Sequence, residues 1–134
     1  MPTNYELGLK AQNLVKEFYL KNDYKIVIEN YQAYTTRKIG EVDLIFTKDY
    51  SKVDTHTKIT NPNILVMVEV KMRSNDKFGK GLEQISKSKL KAMYSSYLHF
   101  ITKHKEYSQF NVRIDVASID MGKITIIPNC YDFS

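Results

Sequence analysis

The chain has 134 residues, 43% of them apolar, a formal net charge of +5 and an isoelectric point near 9.2. This length suits one hydrophobic core, so we expect a single domain over 1–134, and the apolar content excludes disorder. The lone Cys130 excludes an internal disulfide, and no apolar run approaches the roughly 20 residues that cross a bilayer. We therefore expect a cytoplasmic protein without a membrane partner. The basic balance favours an anionic partner and, taken alone, does not choose among a polyanion, the ribosome and a membrane surface.

The chain begins with the pattern of a helix. Thr3 and Glu6 have the spacing of a capping box, and apolar residues then recur at helical spacing to about Lys21. Gln12 flanks this apolar stripe. It is either a surface glutamine at the edge of the stripe or a side chain that leans over a sheet.

A strand is predicted over 24–30, where the apolar centre is continuous. A polar stretch over 31–39 separates it from the next predicted strand, over 40–46. Arg37 and Lys38 lie directly before that strand. We interpret them either as solvated loop charges or as contacts to a phosphate backbone.

Two predicted strands carry acids. Side chains alternate along a strand, so Glu41 and Asp43 share one face, and Glu69 and Lys71 share one face of the strand over 67–73. If the two strands pair, Asp43 and Glu69 offer the oxygen ligands that Mg²⁺ prefers. Lys71 then stands where it could orient a water or stabilise charge on a phosphoryl group. On spacing alone, an exposed ion pair between Glu69 and Lys71 is equally compatible.

Two irregular segments flank the second acidic strand. The segment 48–63 has almost no apolar residues and is long for a hairpin, so we expect an inserted loop, either disordered or ordered as a flap. A breaker-rich turn follows the strand on the other side. Its basic residues, which could meet a phosphate backbone, are Arg73, Lys77 and Lys80.

A long helix is predicted from about Leu82 to His104. Lys89 interrupts its apolar stripe, so the ammonium either reaches to the rim, as buried lysine stems usually allow, or reaches the acidic site. Lys87 and Lys91 lie on the more exposed side, where they could follow a nucleic-acid backbone.

Two closing strands, over 111–119 and 123–127, flank a hairpin-like turn. Arg113 and Asp115 share a face of the first, which favours mutual pairing over a catalytic role. The order of elements predicts an α/β fold with a mixed central sheet of about five strands and a helix on each face. The first strands are antiparallel neighbours, whereas the crossover through the long helix makes a later strand parallel to an earlier one.

Four separated blocks resemble the YraN family of bacterial endonucleases, which is related to Holliday junction resolvases in the PD-(D/E)XK nuclease superfamily. These blocks are 40–45, 68–73, Phe78-Gly79 followed by Lys89, and 112–116. The resemblance implies a restriction-endonuclease-like core, with Asp43 and Glu69 as metal-binding acids and Lys71 as the catalytic lysine. The acid of the family's first helix falls on Gln12, whose amide can ligate a cation but adds no charge.

We expect a Mg²⁺-dependent (or Mn²⁺-dependent) endonuclease that acts on DNA rather than RNA, with branched or flapped DNA as a further refinement. Its catalytic set would be Asp43, Glu69, Lys71 and Gln12. One alternative is a nucleic-acid-binding protein that keeps the scaffold without turnover, as the missing acid suggests. Another is a structural or ribosome-associated protein whose acids pair with Lys38 and Lys71. Since resolvase-like relatives often work as dimers, a homodimer stays open.

Overall fold

The computed structural model describes residues 2–51, 62–73 and 86–130. Its elements are α1 (Asn4–Lys21), β1 (Lys25–Tyr34), β2 (Lys38–Asp49), β3 (Asn63–Arg73), α2 (Lys87–Lys103), a short 3-10 helix (Lys105–Tyr107), β4 (Asn111–Asp120) and β5 (Lys123–Ile127). The strands form one sheet in the order β1-β2-β3-β4-β5. Only the pairing of β3 with β4 is parallel. The predicted mixed five-stranded α/β sheet is confirmed.

One helix covers each face of the sheet, as predicted. The core between α1 and the sheet contains the buried residues Ala11, Val15 and Tyr19 of the helix and Leu44, Phe46, Val66 and Val68 of the strands. The core between α2 and the sheet contains Met93 and Phe100 of the helix and Ile45, Leu65, Met67 and Ile114 of the strands. In the first cluster the ring of Tyr19 stacks on that of Phe46, with 4.6 Å between ring centroids. Burial of these apolar side chains seats both helices on the sheet.

The first hairpin is longer than predicted. β1 continues to Tyr34 and β2 begins at Lys38, so most of the stretch 31–39 is strand and not a polar connection. The reason is visible in burial: Tyr31 and Ala33 are buried, whereas the residues between and after them are exposed. This alternation is the period-two pattern of a half-buried strand.

The bounds of other helices and strands also differ from the predicted ones. α2 begins at Lys87 and not near Leu82, because Ser86 has extended backbone and its hydroxyl accepts the N–H of Lys89 as an N-cap. β2 and β3 extend into the predicted insertion from both ends, and its residues 52–61 lie outside the described residues. The turn over 74–85 lies outside them as well. In the described part of the chain, neither helix combines the length and hydropathy needed to span a bilayer.

Asp115 organises a buried polar network on the α1 side. Its side chain is fully buried and forms the predicted pair with Arg113, whose Nε and Nη2 donate to Oδ1 and Oδ2 at 2.9 Å each. The hydroxyl of Tyr19 donates to Oδ2 at 2.8 Å, and the backbone N–H of Asn129 donates to Oδ1 at 3.0 Å. Four donors therefore satisfy this carboxylate, which joins α1, β4 and the segment after β5.

Gly40 allows β2 to approach α2 closely, and replacing it should destabilise the fold. A Cβ at this position would lie 2.6 Å from the carbonyl oxygen of Ala92 and would also clash with Ser96 Oγ. Since a backbone atom must move, we expect Gly40→Ala to lower the free energy of unfolding by about 1–3 kcal/mol in urea denaturation. The matched control is Gly8→Ala on α1, where a Cβ meets no atom within 4 Å. That change should stabilise the protein slightly, and equal effects of both changes would refute the packing argument.

Candidate active site

The pairing of β2 with β3 ends part-way along both strands. The ladder stops at the pair Leu44–Val68, although β2 stays paired with β1 as far as Lys38 and β3 stays paired with β4 as far as Arg73. The sheet therefore forks between β2 and β3. Beyond the last pair, the next residues along the two strands are Asp43 and Glu69, so the fork itself brings the two predicted acids together.

Asp43 replaces the missing ladder on the β2 side of the fork. Its Oδ2 accepts the backbone N–H of Val70 at 2.8 Å, so a carboxylate serves as the acceptor that a strand carbonyl would otherwise provide. Burial raises the pKa of Asp43, while the hydrogen bond from Val70 and the charge of Lys89 lower it; the charge of Glu41 raises it. The carboxylate is thus held firmly in a partly desolvated place.

Glu69 lies on the other strand of the fork, β3, and its side chain is on the face of the sheet that α2 covers. Its side chain is 13% exposed, and Oε2 lies 3.4 Å from the ammonium of Lys89, which is longer than a good hydrogen bond. Among the described residues, that buried oxygen has no hydrogen bond. Burial and the negative charge of Asp43 raise the pKa of Glu69 to about 7, against the lowering effect of Lys89 and Lys71. The two acids therefore interact electrostatically.

A cleft of about 460 Å³ opens between α1 and the fork. Gln12 and Asp43 both line it, together with Glu41. Gln12 on α1 and Asp43 on β2 therefore border the same cleft. Glu69 and Lys71 do not line this cleft, because they lie on the α2 side of β3. Of the four predicted catalytic residues, Gln12 and Asp43 therefore lie on the α1 side of the fork, and Glu69 and Lys71 lie on its α2 side.

The predicted basic contacts are distributed over three elements. Arg37 is exposed in the β1–β2 turn, and Lys38 forms an ion pair with Glu41 at 2.8 Å. Lys87 and Lys91 are exposed on α2. The positions that lie outside the described residues are the side chain of Arg73 and the whole of Lys77 and Lys80.

The chain is similar to known proteins over most of its length. The model of the uncharacterised protein family UPF0102 matches residues 11–119, which include both acidic strands and α2. The chain therefore belongs to UPF0102. A UPF0102 protein of Legionella pneumophila strain Philadelphia 1 is 32% identical over 129 residues, 95% of each chain. One of Thermodesulfovibrio yellowstonii is 31% identical over 126 residues, 94% of this chain and 96% of the relative.

A UPF0102 protein of Clostridium botulinum strain Alaska E43 is also 31% identical, over 121 residues that make up 90% of this chain and 84% of the relative. The resemblance to the YraN family is confirmed, since UPF0102 is that family. The match covers the fork, the helix that carries Gln12 and the helix that carries Lys89. The family name itself assigns no activity.

Two features of this UPF0102 site were not among the predicted catalytic residues. Glu41 lines the cleft and its charge raises the pKa of Asp43. Alternation along β2 placed it on the face of Asp43, but no motif gave it a role. The amine that contacts Glu69 is that of Lys89 on α2, at 3.4 Å, and not that of Lys71 on β3. Within the described ranges, no three His, Cys, Asp or Glu side chains converge as a metal cluster.

Glu69 should make the protein less stable as the pH rises. Its pKa is about 7 in the fold and 4.5 ordinarily, so between these values the folded protein holds a proton that the unfolded chain has released. The free energy of unfolding therefore falls as the pH rises from about 4.5 to about 7, by up to about 3 kcal/mol. The glutamine side chain of Glu69→Gln cannot ionise, so the free energy of unfolding of this variant should depend less on pH between about 4.5 and about 7. The measurement is urea unfolding at several pH values in EDTA.

The matched control is Glu17→Gln, an exposed position on α1. It should keep the wild-type dependence on pH. A Glu69→Gln variant with an unchanged slope would show that Glu69 is not the group responsible.

Proposed function

We propose that this UPF0102 protein is a Mg²⁺-dependent endonuclease that hydrolyses phosphodiester bonds of DNA. The observation that carries the proposal is the pair of partly buried acids, Asp43 and Glu69, at the fork of the sheet, where the charge of one raises the pKa of the other. Holding two like charges together is costly, and a hard cation between them would relieve that cost.

The side-chain oxygens at the fork are ligands that suit magnesium. Glu69 Oε2 is a buried oxygen without a hydrogen bond among the described residues, so its lone pairs could ligate a cation. Mg²⁺ commonly takes one or two carboxylates and fills its other positions with water and substrate phosphate. Asp43 and Glu69 would hold the ion, and the amide oxygen of Gln12 would order its water shell. Manganese, which takes the same oxygen ligands, would serve as well.

The residues around the ion would divide the reaction between them. The bound cation would lower the pKa of a water and polarise the phosphoryl oxygens. Lys71, which lies two residues beyond Glu69 on the same face of β3, would orient the attacking water and stabilise the negative charge that develops on the phosphoryl oxygens. Asp43 would contribute a fixed position, since the N–H of Val70 already holds its carboxylate.

Binding of the DNA backbone would fall to the basic residues near the fork. α2 has no acid in its first turn, yet Lys87, Lys89 and Lys91 all lie near its start. Positive charge at a helix N-terminus is unfavourable by about 0.3–1 kcal/mol for each charge, so an anionic partner would explain this placement. Arg37 would add a contact from the β1–β2 turn. The net charge of +5 agrees with a polyanionic partner.

The substrate refinements extend the same proposal. We propose branched or flapped DNA as the preferred substrate, and a homodimer as the acting form, because a branched molecule presents two related cleavage points. The cytoplasm, where DNA and millimolar Mg²⁺ coexist, is the proposed location.

The second candidate function is DNA binding without turnover. Two observations favour it: Lys89 already forms an ion pair with Glu69, and the position that would supply a third acid holds the uncharged Gln12. The two candidates differ in cleavage and not in DNA affinity, so one set of measurements separates them.

The experiment is a cleavage panel of single-stranded, duplex, flap and four-way DNA with Mg²⁺ and Mn²⁺. We expect wild type to cut at least one substrate and Lys71→Ala to cut at least about 100-fold more slowly, because a group that assists proton transfer and charge stabilisation is lost. The affinity of Lys71→Ala for the same DNA, measured with Ca²⁺, should stay close to that of wild type.

The controls are Glu69→Ala, which should be inactive, and Lys25→Ala, which removes an exposed lysine at the end of β1 that pairs with Thr47, on the paired side of the fork. Lys25→Ala should cut like wild type. Undiminished cutting by Lys71→Ala would exclude the proposed role of that lysine. DNA binding without cutting of any substrate would establish the second candidate function instead.

A further prediction concerns the missing acid. Gln12→Glu adds a negative charge to the cleft opposite Asp43, so the dissociation constant for Mg²⁺ should fall about tenfold in calorimetric titration. Gln32→Glu makes the same chemical change at another position in the same cleft, on β1. Equal tightening by both variants would assign the gain to general electrostatics and not to ligation by residue 12.

A further inference from the structure

The contact between Lys89 and Glu69 is loose for a buried ion pair. The ammonium lies 3.4 Å from Oε2, and that oxygen has no hydrogen bond from any described residue. Buried carboxylates that serve stability are normally saturated with donors, as Asp115 is in this chain. The ammonium of lysine is also a single charge on a flexible stem, which leaves a partner more readily than a guanidinium that binds in two places.

Lys89 lies where its charge acts on the whole acidic group. It lowers the pKa of Glu41, Asp43 and Glu69, which belong to both sides of the fork. Its side chain is 33% exposed, so the ammonium has a path from Glu69 to solvent. A single lysine on α2 therefore supplies positive charge at the place where the proposed function puts a divalent cation.

We propose that Lys89 exchanges partners: it neutralises Glu69 while no divalent cation is bound, and it moves to a phosphate of the nucleic acid when the cation takes the carboxylate. Lys89 is then a positioning residue that links cation binding to DNA binding. This inference rests on the proposed function, because it needs a cation at Glu69 and a phosphate nearby.

The electrostatic consequence has a definite sign. A positive charge beside Glu69 repels any cation that approaches, so removing it must strengthen cation binding. Removal also strengthens proton binding, but a divalent ion gains twice as much from the same change in potential as a proton does. The apparent affinity for Mg²⁺ therefore rises at every pH, even where protons compete for the carboxylate.

Linkage adds a second consequence. If the cation releases Lys89 for DNA, the cation and DNA each strengthen the binding of the other by the same factor. Without Lys89, the cation would still bind but would deliver no additional amine to the phosphate. The factor by which a cation raises the affinity for DNA should then be smaller than in wild type.

The first test is calorimetric titration of the full chain with Mg²⁺, and with Mn²⁺ as a second probe. We expect Lys89→Met to bind Mg²⁺ about tenfold more tightly than wild type, and Lys89→Arg, which keeps the charge and can hold a carboxylate in two places, to bind Mg²⁺ no more tightly than wild type. The matched control is Lys103→Met, an exposed lysine in the last turn of the same helix and far from Glu69, which should change little. A Lys89→Met variant that binds Mg²⁺ no more tightly than wild type would overturn the exchange.

The second test measures the affinity for a fluorescein-labelled flap DNA by anisotropy, with and without Ca²⁺ as a cation that does not support cleavage. Ca²⁺ should strengthen DNA binding by wild type and by Lys89→Arg more than by Lys89→Met. Equal strengthening in all three would overturn the exchange while leaving the nuclease proposal intact. If neither wild type nor any variant binds Mg²⁺ or Mn²⁺, the exchange and the proposed metal site both fall. Circular dichroism checks folding, and Lys89→Gln, which also removes the charge, replaces Lys89→Met in both tests if that variant does not fold.

Discussion

The separation of β2 from β3 beyond the pair Leu44–Val68 is the constraint on which the site depends. Two strands that part within a sheet leave backbone groups without partners, and an unpaired buried N–H costs about 1–3 kcal/mol. Asp43 removes that cost for Val70 by accepting its N–H through the side chain. The residue is therefore required for the sheet as well as for the proposed chemistry. One consequence is that its carboxylate is held by the backbone of the neighbouring strand, and a cation would find it already oriented.

Two acids in the described part of the chain, Asp115 and Glu69, illustrate how structure separates stability from function. Asp115 receives four donated hydrogen bonds, two of them from Arg113, and closes the contact between α1 and β4. Glu69 keeps a buried oxygen without a hydrogen bond among the described residues, and its pKa rises to about 7. A carboxylate kept in this state destabilises the fold at neutral pH. Such a cost persists where the group serves another purpose, which supports a ligand role for Glu69 and not for Asp115.

The order of elements and the face of each charged residue were predictable because they depend on local pattern. Helical spacing after the Thr3 cap predicted α1 to within a residue of its end, and alternation placed Glu41 with Asp43 and Glu69 with Lys71. The errors arose where a local rule competed with packing. The stretch after Asn30 is polar in composition, yet Tyr31 and Ala33 alternate into the core under α2 and extend β1. The start of α2 was predicted near Leu82, whereas α2 begins at Lys87, directly after the extended Ser86 that caps it.

The sequence by itself determined the α/β class, the antiparallel first strands, the crossover and the identity of the acids, since each follows from residue periodicity or from a motif of a few neighbouring positions. Only the tertiary structure decided where β2 and β3 part, that Gln12 and Asp43 line one cleft, and that Lys89 and not Lys71 contacts Glu69. These are distances between elements far apart in the chain. They depend on strand register and on how closely α2 can approach the sheet over Gly40, and no local pattern encodes either quantity.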